Sequence, residues 1–565
     1  MDTPNTDFTE DTPFRAALWT PAADINSAEE RASITLYWWY READDKYYLF
    51  VPSSLSKGKL RWAYTADTLV TLDGSSLVNG SLFRAAPGSH TLEVTFSDGS
   101  QESYALEIIV SSAVSTVFIE TQSGSLDALH ASKEHEENGT ITVLDAGGHL
   151  NYAGLIESFH CRGNASFDET DKKSYQIKLE QKTSLLGMEQ EKYWLLLANS
   201  FDSTLLRNKT AFSMADSLHL AYTPDAAYAE VYCNGLYIGN YLLTEKIKVG
   251  NSRVAIRDLE EETEAVNPGT DLSSLTPFMT ETGRLYSIKG VEVPTEPEDN
   301  TGGYLLELEM SDRYGLETSG FITSRGQPVV LTSPQYASPG QVSYIAERYQ
   351  DLEDALFSPD GCSPYTGAHY TEYLDMDSFA RKYLIEEVCK NLDAAFTSQY
   401  LYKAPDSVST LFYAGPVWDY DKAIAASGIT QEGIDLHDPE GLYAAVQTKP
   451  SDLWYALWQH PDFREAVAVI YFEQMEEIIR RETEQTIPAQ AEALADSVVM
   501  NSCRWNVFTQ ESERDAILKA YQSSVDEIIL FLQERADYLS DTFADSLPAE
   551  ESGVSDNTAA TRRRP

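Results

Sequence analysis

The chain has 565 residues, of which 89 are acidic and 42 basic, and a formal net charge of −47. One hydrophobic core stops growing near ~250–300 residues, so the length predicts two or three domains. A surface this acidic repels nucleic acid and anionic membranes, which excludes both as general partners, although a local basic pocket can still hold a phosphorylated ligand.

No apolar run reaches the ~18 residues of a membrane span. The start, Met1-Asp2-Thr3-Pro4, is polar and acidic, without the basic and apolar regions of a secretory signal. It fits either a cytoplasmic protein or a sequence lacking the export signal of its parent. Five scattered cysteines (Cys161, Cys233, Cys362, Cys389, Cys503) with no C-x-x-C predict neither a disulfide framework nor a cysteine metal site, and leave room for one or two disulfides.

In chain order, residues 1–25 are Pro/Thr/Asp-rich and predicted to be poorly ordered. Residues 26–113 hold short alternating runs such as Ile34–Tyr40, Tyr47–Val51, Thr91–Phe96 and Tyr104–Val110, separated by polar turns. That pattern predicts a small β-sandwich of immunoglobulin-like type, a spacer or binding module. Residues 114–300 mix strands and helix. Strands are expected at Thr116–Thr121, Gly139–Asp145, Ser174–Leu179 and Tyr193–Ala198, followed by a helix capped at Asp202 or Ser203 and running to Leu218. Asn234-Gly235 between two apolar runs predicts a tight hairpin. Residues 258–300, acidic and rich in Pro, Thr and Gly, read as a surface insertion.

Residues 301–545 begin with the strand Tyr304–Leu308. A helix capped by Asp375 or Asp377 ends near Asn391, a hairpin at Gln399–Tyr402 and Thr410–Tyr413 leads into Trp418, and the pattern beyond 449 is helical. The tail 546–565 reads as disordered. The expected class is α+β: a two-lobed, atypical protein-kinase-like fold preceded by the sandwich.

The chemistry-bearing stretch is Gly415-Pro416-Val417-Trp418-Asp419-Tyr420-Asp421, read with Asn391-Leu392-Asp393. Carboxylates at i and i+2 after an apolar strand suit Mg²⁺, which takes one or two carboxylates and keeps several waters. An isolated Asp-x-Asp is more often a turn or a cap, and Asp393 at a helix end is equally readable as a solvated acid. Lys178 lies on a predicted strand, where a lysine usually marks a solvated face; the functional alternative is a contact to nucleotide phosphates. Arg162-Gly163-Asn164-Ala165-Ser166-Phe167 is a polar loop that can cover phosphates or simply turn the chain.

These segments together resemble the spore-coat CotH kinase family over residues of about 116–540. The resemblance rests on Arg162–Phe167, Lys173–Leu179, Leu185–Met188, Trp194–Asn199, Leu205–Asn208, Tyr222–Pro224 and Tyr232–Gly235. It continues through Gly239–Glu245, Gly302–Glu307, Asn391–Asp393, Tyr400–Lys403 and Gly415–Asp421 in the same order. It implies an atypical protein kinase that uses ATP and Mg²⁺, with Mn²⁺ as an alternative, and phosphorylates Ser or Thr of a coat or surface protein. It also implies a spore or cell-surface location.

By the same resemblance, Asp393 is the catalytic aspartate and Lys178 the phosphate contact. Arg162, Asn164 and Ser166 cover the nucleotide, Glu245 lies at the hinge beside adenine, and Asp419 is the metal ligand. Asp421 is a second ligand or outer-shell support. Ser398 stands at the spacing of a second metal-binding residue, where a hydroxyl is a poorer ligand than an Asn carbonyl. The helix before residue 218 carries no Glu to pair with Lys178, and Arg207 and Asn208 are expected to brace it. Two other readings stand beside the kinase. One is a DxD metal-dependent glycosyltransferase; the other is a nucleotide-binding adhesive module that has lost turnover. For the kinase, a basic Ser/Thr segment is the partner an acidic enzyme would attract.

Overall fold

The computed structural model describes residues 14–19, 34–56, 60–64, 68–431, 433–508 and 513–548. The fold is mixed α+β and divides into two compact units. The first comprises residues 1–204, 225–245 and 489–524; the second comprises 205–224, 246–488 and 525–565.

The first unit opens with strand β1 (Phe14–Trp19), which pairs antiparallel with β2 (Ile34–Leu36) and β5 (Arg61–Tyr64). Part of the stretch expected to be poorly ordered is therefore a strand; the rest of residues 1–25 and all of 549–565 lie outside the described residues. A six-stranded sheet follows, in the order β3 (Trp39–Arg41), β4 (Lys46–Val51), β9 (Gln101–Val110), β8 (Gly88–Thr95), β6 (Leu69–Leu72), β7 (Ser75–Leu77). Its one parallel pairing is β4 with β9.

Seven strands then close a barrel: β10 (Ser115–Thr121), β11 (Glu137–Leu144), β12 (Leu150–Arg162), β13 (Ser174–Thr183), β14 (Glu191–Leu197), β16 (Leu236–Glu245) and β15 (Ala226–Cys233). The parallel pairing of β10 with β15 completes the ring. Alternation fills the interior: Val117, Ile119, Tyr175, Ile177, Leu179, Trp194, Leu196 and Val231 are buried in one cluster. The barrel is thus a packed core, and residues interleaved with these, Lys178 among them, point to its outer wall. The hairpin joining β15 to β16 turns at Asn234 (φ +50°) and Gly235 (φ +78°), two left-handed residues of the kind a two-residue hairpin needs.

The second unit is built on a seven-stranded sheet ordered β17 (Pro277–Thr280), β18 (Ser287–Val291), β20 (Gly320–Ile322), β21 (Pro328–Ser333), β19 (Tyr304–Leu308), β22 (Gln399–Lys403), β23 (Tyr413–Ala414). Every pairing in it is antiparallel. Residues 258–300 are corrected here. They supply the helix Leu259–Val266 and two strands of this sheet, and Ile288 and Val291 are buried. The helix expected from Asp202 starts at Arg207 and ends at Ser217; Asp202 instead accepts the Thr204 amide and hydroxyl in a local turn. The helix Met376–Cys389 is capped by Asp375, whose side chain accepts the Ser378 amide. The C-terminal helices include Leu453–Trp458, Pro461–Ile470, Ile487–Trp505 and Arg514–Ala544. All five cysteines are free thiols, so no disulfide forms. No helix among the described residues is long and apolar enough to cross a membrane.

One buried titratable group gives the barrel a pH response. His130, in the turn of helix Asp127–Ala131, meets the Tyr175 hydroxyl at 2.7 Å, and burial pushes its pKa down to about 4. The unfolded chain binds a proton at pH values where the folded chain does not, so stability is complete above ~6.5 and is lost as pH falls toward 4. Urea unfolding of the wild type should lose up to ~1.4 kcal/mol per pH unit more than His130→Gln in that window. Parallel curves would place the proton uptake at another group.

Candidate active site

Three carboxylates of the second unit come together. Asp393 sits in the short turn Leu392–Ala395, immediately after the helix Met376–Cys389. Asp419 and Asp421 follow the β22–β23 hairpin. The Asp393 carboxyl is held well above the usual carboxylate range, first by burial and then by the negative charges of Asp419 and Asp421. Lys422 acts in the opposite sense. Charges that perturb one another this way must be close, so the chain brings together three acids that would repel if left alone.

The segment that carries Asp419 is strained and braced. Asp419 has a left-handed backbone (φ +65°), as do Ile424 (φ +44°) and Ala425 (φ +57°). Such conformations are uncommon for non-glycine residues and persist where the surroundings over-determine them. Here helix Arg207–Ser217 supplies the brace. The Tyr420 amide donates to Asn208 Oδ1 at 2.8 Å, and the buried Arg207 donates through Nε to the Ile424 carbonyl at 2.9 Å. Arg207 Nη2 reaches the Ala425 carbonyl at 3.4 Å. These two residues, expected to fix their own helix, hold the Asp-x-Asp segment.

A buried carboxylate ties the pieces together. Glu386 accepts the Tyr420 hydroxyl on Oε1 at 2.6 Å and Asn391 Nδ2 on Oε2 at 2.8 Å, and it pairs with the fully buried Lys382. Asn391 in turn caps the Asp393 turn, its Oδ1 accepting the Asp393 amide at 3.3 Å. One side chain therefore fixes both Tyr420, between the paired acids, and the cap of the turn that carries Asp393.

Glu307 on β19 is a residue the sequence reading passed over. It stands opposite Tyr400 in register, and its pKa is pushed up to about 8, first by burial, with Glu309, Glu317 and Asp419 adding to the rise and a hydrogen bond to Tyr400 opposing it. An acid inside the apolar run Tyr304–Leu308 was the available signal. Ser398 is buried and left-handed (φ +57°) at the start of β22.

The remaining expected residues lie in the first unit. Lys178 is on the barrel's outer wall, its Nζ 2.8 Å from Glu157 Oε1 on β12, and this hydrogen bond raises its pKa. The acidic partner missing from the helix is thus on the neighbouring strand. Arg162 ends β12. Gly163 turns the chain with φ +89°, and a Cβ there would stand 2.1 Å from Ser166 Oγ. Asn164 Oδ1 accepts Lys133 Nζ at 3.1 Å, and Lys173 Nζ donates to the carbonyls of Phe167 and Thr170 at 2.5 Å each. Lys133 and Lys173 therefore both hold this loop from outside it. Glu245 ends β16 and accepts the Asp225 amide at 3.2 Å.

The CotH family profile, described as CotH kinase protein, matches residues 159–539. The chain belongs to the CotH kinase family. The match covers Lys178, Asp393, Asp419 and Asp421 and extends through Arg535. A search of curated proteins found no match.

Family membership implies a divalent metal. Among the described residues no group of three or more His, Cys, Asp or Glu side chains forms a metal cage. Mg²⁺ does not require one, since it binds through one or two carboxylates, phosphate oxygens and water. The mutual repulsion that lifts Asp393 is what such a cation would relieve, so the oxygen donors of Asp419 and Asp421 fit it.

Removing the Glu386 carboxylate strands the buried Lys382. Glu386→Ala should cost about 3–5 kcal/mol in chemical denaturation. Combining Glu386→Leu with Lys382→Met should recover part of that loss, because no unpaired charge remains, while Tyr420 and Asn391 still lack their acceptor. A single variant as stable as the wild type would remove Glu386 from this role.

Proposed function

We propose that the chain is an ATP-dependent protein kinase that transfers the γ-phosphate to Ser or Thr hydroxyls of a protein. The observation that carries this reading is the convergence of Asp393 with Asp419 and Asp421. Asp393 orients the acceptor hydroxyl and takes its proton as the phosphoryl group transfers. Asp419 holds Mg²⁺ or Mn²⁺, with Asp421 as second ligand or outer-shell support and Ser398 at the second metal position. When bound, that metal neutralises charge on the β- and γ-phosphates.

Lys178 contacts the α- and β-phosphates, and the Arg162–Ser166 loop, through Asn164 and Ser166, covers them. Glu245 borders the adenine. The two-lobed kinase arrangement belongs to the same proposal. So does the reading of the N-terminal sheets as an immunoglobulin-like spacer. The substrate is a coat or surface protein with basic Ser/Thr segments, to which an enzyme of net charge −47 is attracted. The all-antiparallel sheet beside Asp419 supports a kinase over a sugar-nucleotide transferase, which would be expected to bind at a doubly wound parallel sheet.

Asp393→Asn and Asp419→Ala should each lower transfer of radiolabelled γ-phosphate to basic Ser-containing peptides by at least about 10². Full incorporation by either variant would overturn the assignment. Lys178→Met should leave the melting temperature nearly unchanged, because a partly exposed ion pair contributes about 0–1 kcal/mol, yet raise the KM for ATP. An unaltered KM would return Lys178 to a solvated face.

A further inference from the structure

Three side chains around one small pocket keep buried polar atoms that no other group of the protein meets. Gln399 is 2% exposed, Trp454 2% and Asp452 3%. Both amide atoms of Gln399, the Trp454 indole Nε1 and Asp452 Oδ1 are buried without a hydrogen-bond partner among the described residues. The three residues line the same pocket, together with Ala394, Ala395 and Lys449 among others. An unmade bond at such a group costs about 1–3 kcal/mol, so several of them around one space call for an occupant.

Size and chemistry together select that occupant. The space open to the centre of a water-sized sphere is about 10 Å³, the room of a single water. No side chain, sugar or phosphate fits. Among particles that small, charge decides. Asp452 commits its other oxygen to the Thr448 hydroxyl at 2.9 Å and the Lys449 amide at 2.8 Å, so Oδ1 is left as an acceptor. A halide would meet the Trp454 N–H but stand against the Asp452 carboxylate. A sodium or ammonium ion would meet Asp452 but face the Trp454 N–H, which can only donate, and the Lys449 ammonium in the same wall. Water both donates and accepts. It can give a hydrogen to Asp452 Oδ1, take one from Trp454 Nε1, and use either atom of the Gln399 amide, the three bonds typical of a buried water.

Position gives the water a role. Ala394 and Ala395 belong to the turn Leu392–Ala395 that carries Asp393, and Gln399 opens β22 directly after Ser398. Trp454 lies on the helix Leu453–Trp458, with Asp452 at its N-terminal boundary. We propose that one ordered water occupies this pocket as a fixed part of the fold, bonded to Trp454, Asp452 and Gln399, and ties β22 to that helix beside the turn of Asp393. The water site rests on the pocket alone. Its effect on phosphoryl transfer rests on the kinase reading, and the two can fail separately.

A high-resolution crystal structure of the full chain tests the site. The expected density is one isolated peak, roughly 2.6–3.2 Å from Trp454 Nε1, from Asp452 Oδ1 and from one Gln399 amide atom. Direct bonds among the three side chains with no peak between them, or a peak that refines as an ion, would overturn the proposal. Thermal unfolding gives a second reading that needs no crystal. If one water joins Gln399 to Trp454, the double variant Gln399→Leu with Trp454→Phe should lose less melting temperature than the two single variants added together. Additive losses would mean that no shared water links them, and the proposal falls. The role beside Asp393 is read with Trp454→Phe, which keeps an aromatic ring near Phe379 and Tyr383. It should lower kcat for peptide phosphorylation by roughly tenfold with the KM for ATP unchanged, because the turn shifts while the nucleotide contacts do not. An unchanged kcat overturns the link to the Asp393 turn. No transfer by the wild type, with the density present, overturns the kinase reading and supports the water site.

Discussion

The arrangement of acids in the second unit depends on the buried carboxylate of Glu386. Asp393, Asp419 and Asp421 raise one another's electrostatic energy, so nothing intrinsic to them keeps them together. What keeps them is a frame whose centre is neutral and fully hydrogen-bonded. Lys382 offsets the charge of Glu386, Tyr420 occupies one oxygen and Asn391 the other. A buried ion pair adds little net stability over an apolar pair, because desolvation offsets its Coulomb attraction. Its contribution is geometric. It fixes two chain segments, far apart in sequence, to one helix face, where an apolar side chain would fix neither by direction.

The next residue extends the frame to the C-terminal helices. Glu387 accepts the Tyr443 amide at 2.6 Å, the Tyr383 hydroxyl at 3.0 Å and Arg535 Nη2 at 2.5 Å. Arg535, wholly buried, also donates to the carbonyls of Pro439 and Gly441 at 2.7 Å each. The Tyr443 hydroxyl then reaches the Leu392 carbonyl at 2.8 Å, which returns the chain of contacts to the Asp393 turn. The family match runs to residue 539, past Arg535. The end of a helix more than a hundred residues after Asp393 thus belongs to its support.

Much of this was legible in the sequence wherever a local rule sufficed. Asn234-Gly235 specified its hairpin through backbone preference, Asp375 its helix through capping, and Tyr175, Ile177 and Leu179 their strand through alternation. Legibility ended where tertiary context ruled. Much of β12 is polar and half-exposed, so its thirteen residues lack the apolar alternation that marks a strand. The helix Pro339–Leu356 begins Ser-Pro-Gly, which reads as a turn, yet Ser338 and Gln341 form a capping box around it. Glu386, Glu387, Lys382 and Arg535 are of residue types almost always exposed unless paired, and their partners lie too far along the chain for any window to reveal. Asp393 and Asp419 were singled out because motif order in a family carries such long-range information, whereas Glu307, inside the matching segment Gly302–Glu307, was read only as part of a strand.

The balance of charge at the site leads to one further step. Asp419, Asp421 and Glu386 all lift the Asp393 pKa while Lys422 lowers it, and Glu386 is paired with Lys382. That imbalance is of the sign a divalent cation would relieve. A chain of net charge −47 would otherwise repel a nucleoside triphosphate from this place. On the kinase reading, the same acids that lift Asp393 make nucleotide entry depend on a cation. The left-handed turn at Asp419, held by Asn208 and Arg207, keeps that requirement in a defined position rather than on a mobile loop.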